Sequence, residues 1–277
     1  KNFENVTIIT DKNDYKNLIN EIKKNNGRTT LKFREIMSSK AFGLTAYYDS
    51  MVASWFNQSL KIKFPERKTI FGKKLQDLRY GENPHQESAI YVNDFDNSSF
   101  NLKKISGKDL SYNNYNDIFA CLDLTKTLPK NRGTVIVKHT NPSGVSIETN
   151  KLKSYLSAKN CDPISSFGGI VACNYKINLK IAKEIIKNYY EVIIANGFDK
   201  AAIKLFKSKR NLRLIDSTKT KLNKCNKIVS GINSYLMQTN DDQIFDKDNF
   251  KVVSKIKPSK KLMEQLIFSF NVCRSVK

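Results

Sequence analysis

Histidine is nearly absent from this chain: His85 and His139 are the only two in 277 residues. Proton transfer by imidazole is therefore confined to those two positions. Arginine is scarce as well, at eight of the 48 basic residues, and acidic residues number only 26, which leaves a formal charge of +22. A nucleic-acid surface is one reading of that charge. Sequence-reading binders lean on bidentate arginine and cluster their cations, whereas here lysines run along the whole chain beside many Asn and Ile, all three with A/T-rich codons. Compositional bias is the preferred reading, and a basic nucleic-acid-binding protein is the alternative. The field would still steer anionic substrates.

The five cysteines, Cys121, Cys161, Cys173, Cys225 and Cys273, include no Cys-x-x-Cys pair. That spacing argues for reduced thiols in the cytosol, and against a disulfide frame or a zinc site, with all five read as small buried core residues. No apolar run approaches the length of a membrane span. The opening Lys1-Asn2-Phe3-Glu4-Asn5 carries neither an initiator Met nor a signal-peptide stretch. An amphipathic pattern is still running at Lys277, so both ends read as cut.

Hydrophobic residues make up 40% of the chain and aromatics 10%, enough for a sizeable core. Val6 to Ile9 reads as a strand. Thr10 or Asp11 caps a helix through Tyr15, Leu18, Ile19 and Ile22, which Gly27 ends, and Thr29-Thr30 opens a longer helix past Trp55. From about Leu60 to Leu78 the pattern dissolves into Lys-rich sequence with Pro65 and Gly72, the best linker candidate. Beyond it, apolar runs at Thr134–Val137, Gly169–Ala172, Val192–Ala195 and Leu212–Ile215 alternate with helical stretches at Leu179–Tyr189 and Lys200–Lys207. Such strands imply a sheet buried on both faces, hence an α/β architecture. Residues 217–249 are polar and read as loop-dominated. Ser259 caps a last helix through Leu262, Leu266, Ile267 and Phe270.

In open α/β sheets ligands sit beyond the carboxyl ends of the strands. The segment after Val137, Lys138-His139-Thr140-Asn141-Pro142-Ser143-Gly144, is therefore the first suspect. A lone His is usually structural, but both survivors here lie in loops dense with Gly, Pro and Asn. An imidazole can move a proton near neutral pH, and an adjacent Lys can hold an oxyanion or a phosphate. Arg79 beside Tyr80 offers a bidentate anion contact, with a surface salt bridge as the plainer reading. His85-Gln86-Glu87 fits the His-x-Glu element of a zinc deaminase, but the required Pro-Cys-x-x-Cys is missing. The Asp162 to Gly169 loop is either a tight turn or a backbone cradle for a ligand.

Taken together these segments resemble the AICAR formyltransferase and IMP cyclohydrolase family of purine biosynthesis. Leu78-Arg79-Tyr80-Gly81-Glu82-Asn83-Pro84-His85-Gln86 resembles the opening signature of the formyltransferase domain. Ser111-Tyr112-Asn113-Asn114, Val137 to Gly144 and Asp162 to Gly169 resemble the next three, in order. Glu191 to Ala195, followed by Phe198-Asp199, and Arg210 to Leu214 continue the match. Lys40 to Asp49 resembles the last helix of the cyclohydrolase domain, and Lys1-Asn2 the Lys-Asn of its active-site segment. The resemblance covers nearly the whole chain. It departs from the family pattern at Ser143, where Cys is common, and at both ends, beyond which further family motifs are expected.

The resemblance implies two pieces. Residues 1–70 would be the C-terminal part of a methylglyoxal-synthase-like α/β cyclohydrolase domain plus linker. Residues 71–277 would be the N-terminal part of a cytidine-deaminase-like α/β formyltransferase domain that uses no metal. It implies formyl transfer from 10-formyltetrahydrofolate to AICAR, followed by closure to IMP. His139 would be the proton-transfer group, Lys138 its electrostatic partner and His85 a support, with Lys1 the remaining cyclohydrolase element. Arg79 and Tyr80 would contact the nucleotide, and Gly107, Phe167, Gly168 and Glu191 would line the nucleotide and folate pockets. A cytoplasmic homodimer that binds neither nucleic acid nor membrane is the implied state.

Overall fold

The structure, a computed structural model, describes residues 2–93, 102–220 and 226–277. Lys1 and Cys225 lie outside them. The described chain divides into two compact units. One holds the residues up to Lys73 with Tyr91–Asn93, and the other holds Lys74–Ile90 and the described residues from Leu102 onward.

The first unit is helical. Asp11 caps a single 3₁₀ turn, from which α1 (Tyr15–Lys24) follows, and Asn26 (φ 52°) and Gly27 (φ 86°) supply left-handed residues just past its end. α2 (Leu31–Ser59) starts where the Thr30 hydroxyl accepts the Phe33 N–H at 3.2 Å. It continues through Gly43, as the pattern predicts. The Val6 to Ile9 strand does not form: no partner strand lies alongside it among the described residues, and Val6 and Ile8 stay exposed. A lone extended segment cannot satisfy its backbone as a strand. The linker expected over 60–78 is also shorter than read, because its last residues form β1 (Lys73–Leu78), which pairs with β2 (Ser88–Val92).

The second unit is an α/β layer structure. Its six-stranded sheet contains β3 (Lys103–Ser106), β4 (Gly133–Lys138), β5 (Asn141–Ile147), β6 (Ile170–Cys173), β7 (Val192–Ala195) and β8 (Arg213–Asp216), in the order β3-β8-β7-β6-β4-β5. Only β6, β7 and β8 run parallel to one another; β4 lies antiparallel to both β5 and β6, and β3 antiparallel to β8. The alternation of side chains splits the central strands between two cores. Ile136, Val171, Ile193 and Leu214 pack with α4 (Lys151–Cys161), α5 (Leu179–Ile185) and α6 (Lys200–Lys207). Val135, Val137, Ala172, Val192 and Ile215 pack with α3 (Tyr112–Thr127), and Phe268 and Val272 of α7 (Lys260–Cys273) join that side. Each fully buried Val, Ile or Phe contributes about 1.5–3 kcal/mol, so the sheet dominates this unit's stability.

One polar residue carried inward by a central strand has its partners built for it. Thr134 is fully buried in β4, and its hydroxyl meets Tyr175 Oη at 2.6 Å and Ser154 Oγ at 2.9 Å. The polar 217–249 stretch is not all loop, since β9 (Lys227–Gly231) and β10 (Ser234–Gln238) form an exposed hairpin within it. Ser259 caps α7 as expected, accepting the Leu262 N–H at 3.2 Å. The helix ends at Cys273 and does not run on to Lys277.

Candidate functional site

β4 and β5 are joined by the two residues His139 and Thr140, at φ 55° and 62°. Two positive-φ residues between antiparallel strands make a type I′ turn, whose twist matches the strands but which normally takes Asn-Gly. Neither residue here is glycine, and a β-branched threonine is especially disfavoured in this region. The strained turn lifts an exposed imidazole from the end of a strand that is buried as far as Val137. Backbone strain of this kind clusters at functional sites.

Around the turn lies a cavity of about 1100 Å³, contained within the second unit. Arg79, Tyr80, Lys138, His139, Phe167, Gly168 and Glu191 all line it. The structure thus brings together seven of the residues singled out in the sequence. Two stay apart. His85 lies exposed in the β1–β2 loop and does not line the cavity; that loop is closed by Gln86 and tied to α3 by the Asn113 amide, which donates to Glu82 O at 3.4 Å. Gly107 is absent from the lining too, although its neighbour Lys108 is part of it. A Cβ at Gly107 would stand 2.2 Å from Leu212 O, and its φ is 95°, so glycine is required there by backbone approach between β3 and β8. Lys1 lies outside the described residues.

The position of the cavity corrects the expectation from strand direction. Ile170, Glu191 and Arg213 stand at the amino ends of β6, β7 and β8 or one residue before, so the cavity opens at the amino ends of the parallel strands. β4 is antiparallel to β6, and only for this reason does its carboxyl end, with Lys138 and His139, reach the same edge. The rule about carboxyl ends holds for β4 alone.

Electrostatically the lining is uneven. Each of its carboxylates has a partner: Asp77 pairs with Lys74 at 2.9 Å, Asp109 with Lys104, and Glu191 with Arg213 at 3.5 Å and with the Asn114 amide at 2.8 Å. The Lys104 hydrogen bond holds the Asp109 carboxyl below its ordinary value. Asp117 accepts the Thr140 N–H at 2.6 Å. Burial raises its carboxyl above the ordinary value, against the opposing pull of that N–H and of His139. No carboxylate pairs with Arg79, Lys108 or Lys138 among the described residues. Lys138 Nζ donates to Phe167 O at 2.7 Å, and the Arg79 guanidinium lies 5.5 Å from the Tyr80 ring centre. The amino end of α3, set by a Ser111–Asn114 capping box, adds its positive end to this wall. Phe167, 60% exposed, and Tyr189, with centroids 5.2 Å apart, give the cavity an aromatic side.

Asn114, Asp117 and Arg213 also line the cavity, and none of them has a role in the sequence-based reading. Asn114 and Asp117 are three apart on α3, so they share one polar face while Tyr115, Ile118 and Cys121 bury into the core. That spacing was readable only once α3 was known to be a helix. Among the described residues no group of three or more His, Cys, Asp or Glu side chains could hold a metal ion, and no helix is long and apolar enough to cross a membrane.

Fold and cavity together define an α/β domain whose cavity edge carries one imidazole, one neighbouring ammonium and two further cations without carboxylate partners among the described residues. Comparison with known proteins makes the class specific. The model of the AICARFT/IMPCHase bienzyme family matches residues 1–277, and the chain belongs to that family. The bifunctional purine biosynthesis protein PurH of Thermoanaerobacter sp. (strain X514) is 41% identical over 280 residues, covering all of this chain and 54% of that protein. PurH proteins of Leptospira biflexa serovar Patoc (strain Patoc 1 / Ames) and Bradyrhizobium diazoefficiens are 39% and 38% identical, again over the whole chain and 54% and 53% of their own lengths. The chain spans about half the length of the curated relatives it matches.

Proposed function

We propose that the second unit belongs to an enzyme that transfers a formyl group from 10-formyltetrahydrofolate to the 5-amino group of AICAR. The observation that carries this reading is the meeting of Lys138 and His139 with Arg79 and Lys108, two further cations lacking carboxylate partners among the described residues, in one cavity. A nucleoside monophosphate brings a dianion for Arg79, Lys108 and the amino end of α3, and a base to lie beside Tyr80. Phe167 and Gly168 offer the folate an aromatic face and an open backbone.

The amine of AICAR is conjugated with its ring and carboxamide, so attack needs proton removal as well as activation of the formyl carbon. As the C–N bond forms, His139 takes the amine proton and the Lys138 ammonium faces the oxygen that becomes negative. Collapse of the tetrahedral intermediate breaks the bond to the folate nitrogen, and His139 returns the proton to that leaving group. Glu191, fixed by Asn114 and Arg213, is an acceptor for a substrate N–H or hydroxyl. His85 takes no step in this chemistry.

The first unit, with Lys1, is assigned to the cyclohydrolase that closes formyl-AICAR to IMP. The methylglyoxal-synthase-like and cytidine-deaminase-like domain types, the homodimer and the cytoplasmic location complete the reading. Titration of the full-length gene product with AICAR tests it. Saturable binding is expected, weakened about tenfold or more by Arg79→Ala, together with formyl transfer when 10-formyltetrahydrofolate is added. No saturable AICAR binding, alongside binding of random DNA that falls steeply with salt, would replace it by the nucleic-acid alternative that the +22 charge raises.

A further inference from the structure

On the reading that His139 moves the proton, the imidazole must be held still over the cavity, yet it rides on a turn that its own residues disfavour. His139 and Thr140 both sit at positive φ, a region that histidine enters more readily than most residues but that the β-branched Thr140 disfavours. The Thr140 hydroxyl and the Asn141 amide both donate back to His139 O, at 2.7 and 3.3 Å, so these local bonds leave the N–H groups of the turn unsatisfied. The Thr140 N–H goes instead to a residue 23 positions earlier, Asp117 Oδ1, at 2.6 Å, and the His139 N–H adds a weaker contribution to the same carboxylate.

Asp117 has no other evident reason to be where it is. It projects from the cavity face of α3, flanked by the fully buried Ile118, and no Lys or Arg forms an ion pair with it among the described residues. Burial without an ion pair costs a carboxylate stability. α3 is anchored through Tyr115, Ile118, Cys121 and Leu122 in the sheet core, so an acceptor on it is tied to the most rigid part of the unit.

We infer that Asp117 is the positioning residue of this site: its carboxylate clamps the backbone of the strained His139–Thr140 turn to α3 and so fixes where the imidazole stands. Asp117 touches no reacting atom. Its oxygen matters as an acceptor and its charge does not, which separates this role from that of a second base.

Two measurements on the full-length gene product test it. The first needs no chemistry: amide hydrogen exchange at Thr140 is expected to speed up about tenfold or more in Asp117→Ala, with β6 and β7 unchanged. Unchanged exchange at Thr140 overturns the inference whether or not the protein formylates AICAR. The second uses turnover. Asp117→Ala is expected to lose about ten- to a hundredfold in kcat, as small misplacements do, with the AICAR KM shifting less than about threefold. Asp117→Asn, which keeps an acceptor oxygen, is expected to lose markedly less. Thr140→Gly in the Asp117→Ala background removes the need for the clamp and is expected to recover several-fold of the loss. An Asn variant as impaired as the Ala variant, or a double variant with no recovery, overturns it. If Asp117→Ala fails to fold, the double variant should still fold, and its failure to do so also overturns the inference. A wild-type enzyme without formyl transfer would sink the proposed reaction and leave the exchange result to decide the clamp.

Discussion

His139 concentrates the chemical expectation of this molecule in one side chain. It is exposed at the end of a buried strand, beside Lys138, with the second imidazole of the chain elsewhere. His139→Ala in the full-length enzyme should therefore reduce formyl transfer by about a hundred- to ten-thousandfold while AICAR affinity stays close to wild type. A turnover loss under tenfold would remove His139 from the mechanism. Asp117 makes a second expectation, of opposite sign for stability. Its carboxyl is raised above the ordinary value by burial, so the ionised form is the one the fold disfavours. Wild type then loses stability as pH rises from the unfolded carboxylate pKa of about 3.9 through the raised folded value. Asp117→Asn escapes that loss and should unfold at a higher temperature than wild type at pH 7, the gap closing below about pH 4. Thermal melts across that range check it, and a variant less stable at pH 7, or a gap independent of pH, would contradict it. Lys138, His139 and Arg79 could be named from the sequence because two rare side chains and their neighbours stood out in turn-rich loops. Asp117 could not, because its meaning comes from a hydrogen bond across 23 residues.

The elements differ in how openly they announce themselves. β6, β7 and α6 have the bounds that their apolar runs suggest to within a residue, since both faces of the strands are buried and little polar sequence interrupts them. β3 and β5 are hidden by lysines, prolines and serines, because each is an edge strand with fewer apolar neighbours to satisfy. The direction of β4 was hidden altogether: no residue within it says that it opposes β6, yet that reversal carries His139 to the amino ends of its neighbours. Gly107 belongs at this scale as well. Its φ of 95° and the 2.2 Å approach of Leu212 O to a built Cβ tie it to the β3–β8 pairing. Gly107→Ala should destabilise the second unit by about 2 kcal/mol or more, from left-handed strain plus overpacking, which is a Tm fall of about 4–8 °C. Calorimetry tests this, and an unchanged Tm with weakened AICAR binding would return Gly107 to the ligand site.

Across the whole molecule, burial is divided very unequally between the two units. In the second, the strands β6 and β7 are entirely buried and two cores flank them. In the first, α2 runs 29 residues but buries only Met37 and Ala41, while Phe42, Tyr48, Trp55 and Phe56 remain more than half exposed. Helices draw most of their stability from packing an apolar face, not from propensity, and here that packing is slight. Local opening should follow the same division. In residues 1–277, α2 amides are expected to exchange with solvent about a hundredfold faster than those of β6 and β7, a difference of roughly 2.7 kcal/mol in opening free energy. Hydrogen exchange read by mass spectrometry on peptides from the two units measures this directly. Equal protection in α2 and in β6–β7 would mean that a cover lies over Phe42, Tyr48, Trp55 and Phe56 in solution. Repeating the measurement at a tenfold lower protein concentration would then tell a second copy, whose protection is lost on dilution, from a cover within the chain, whose protection is not.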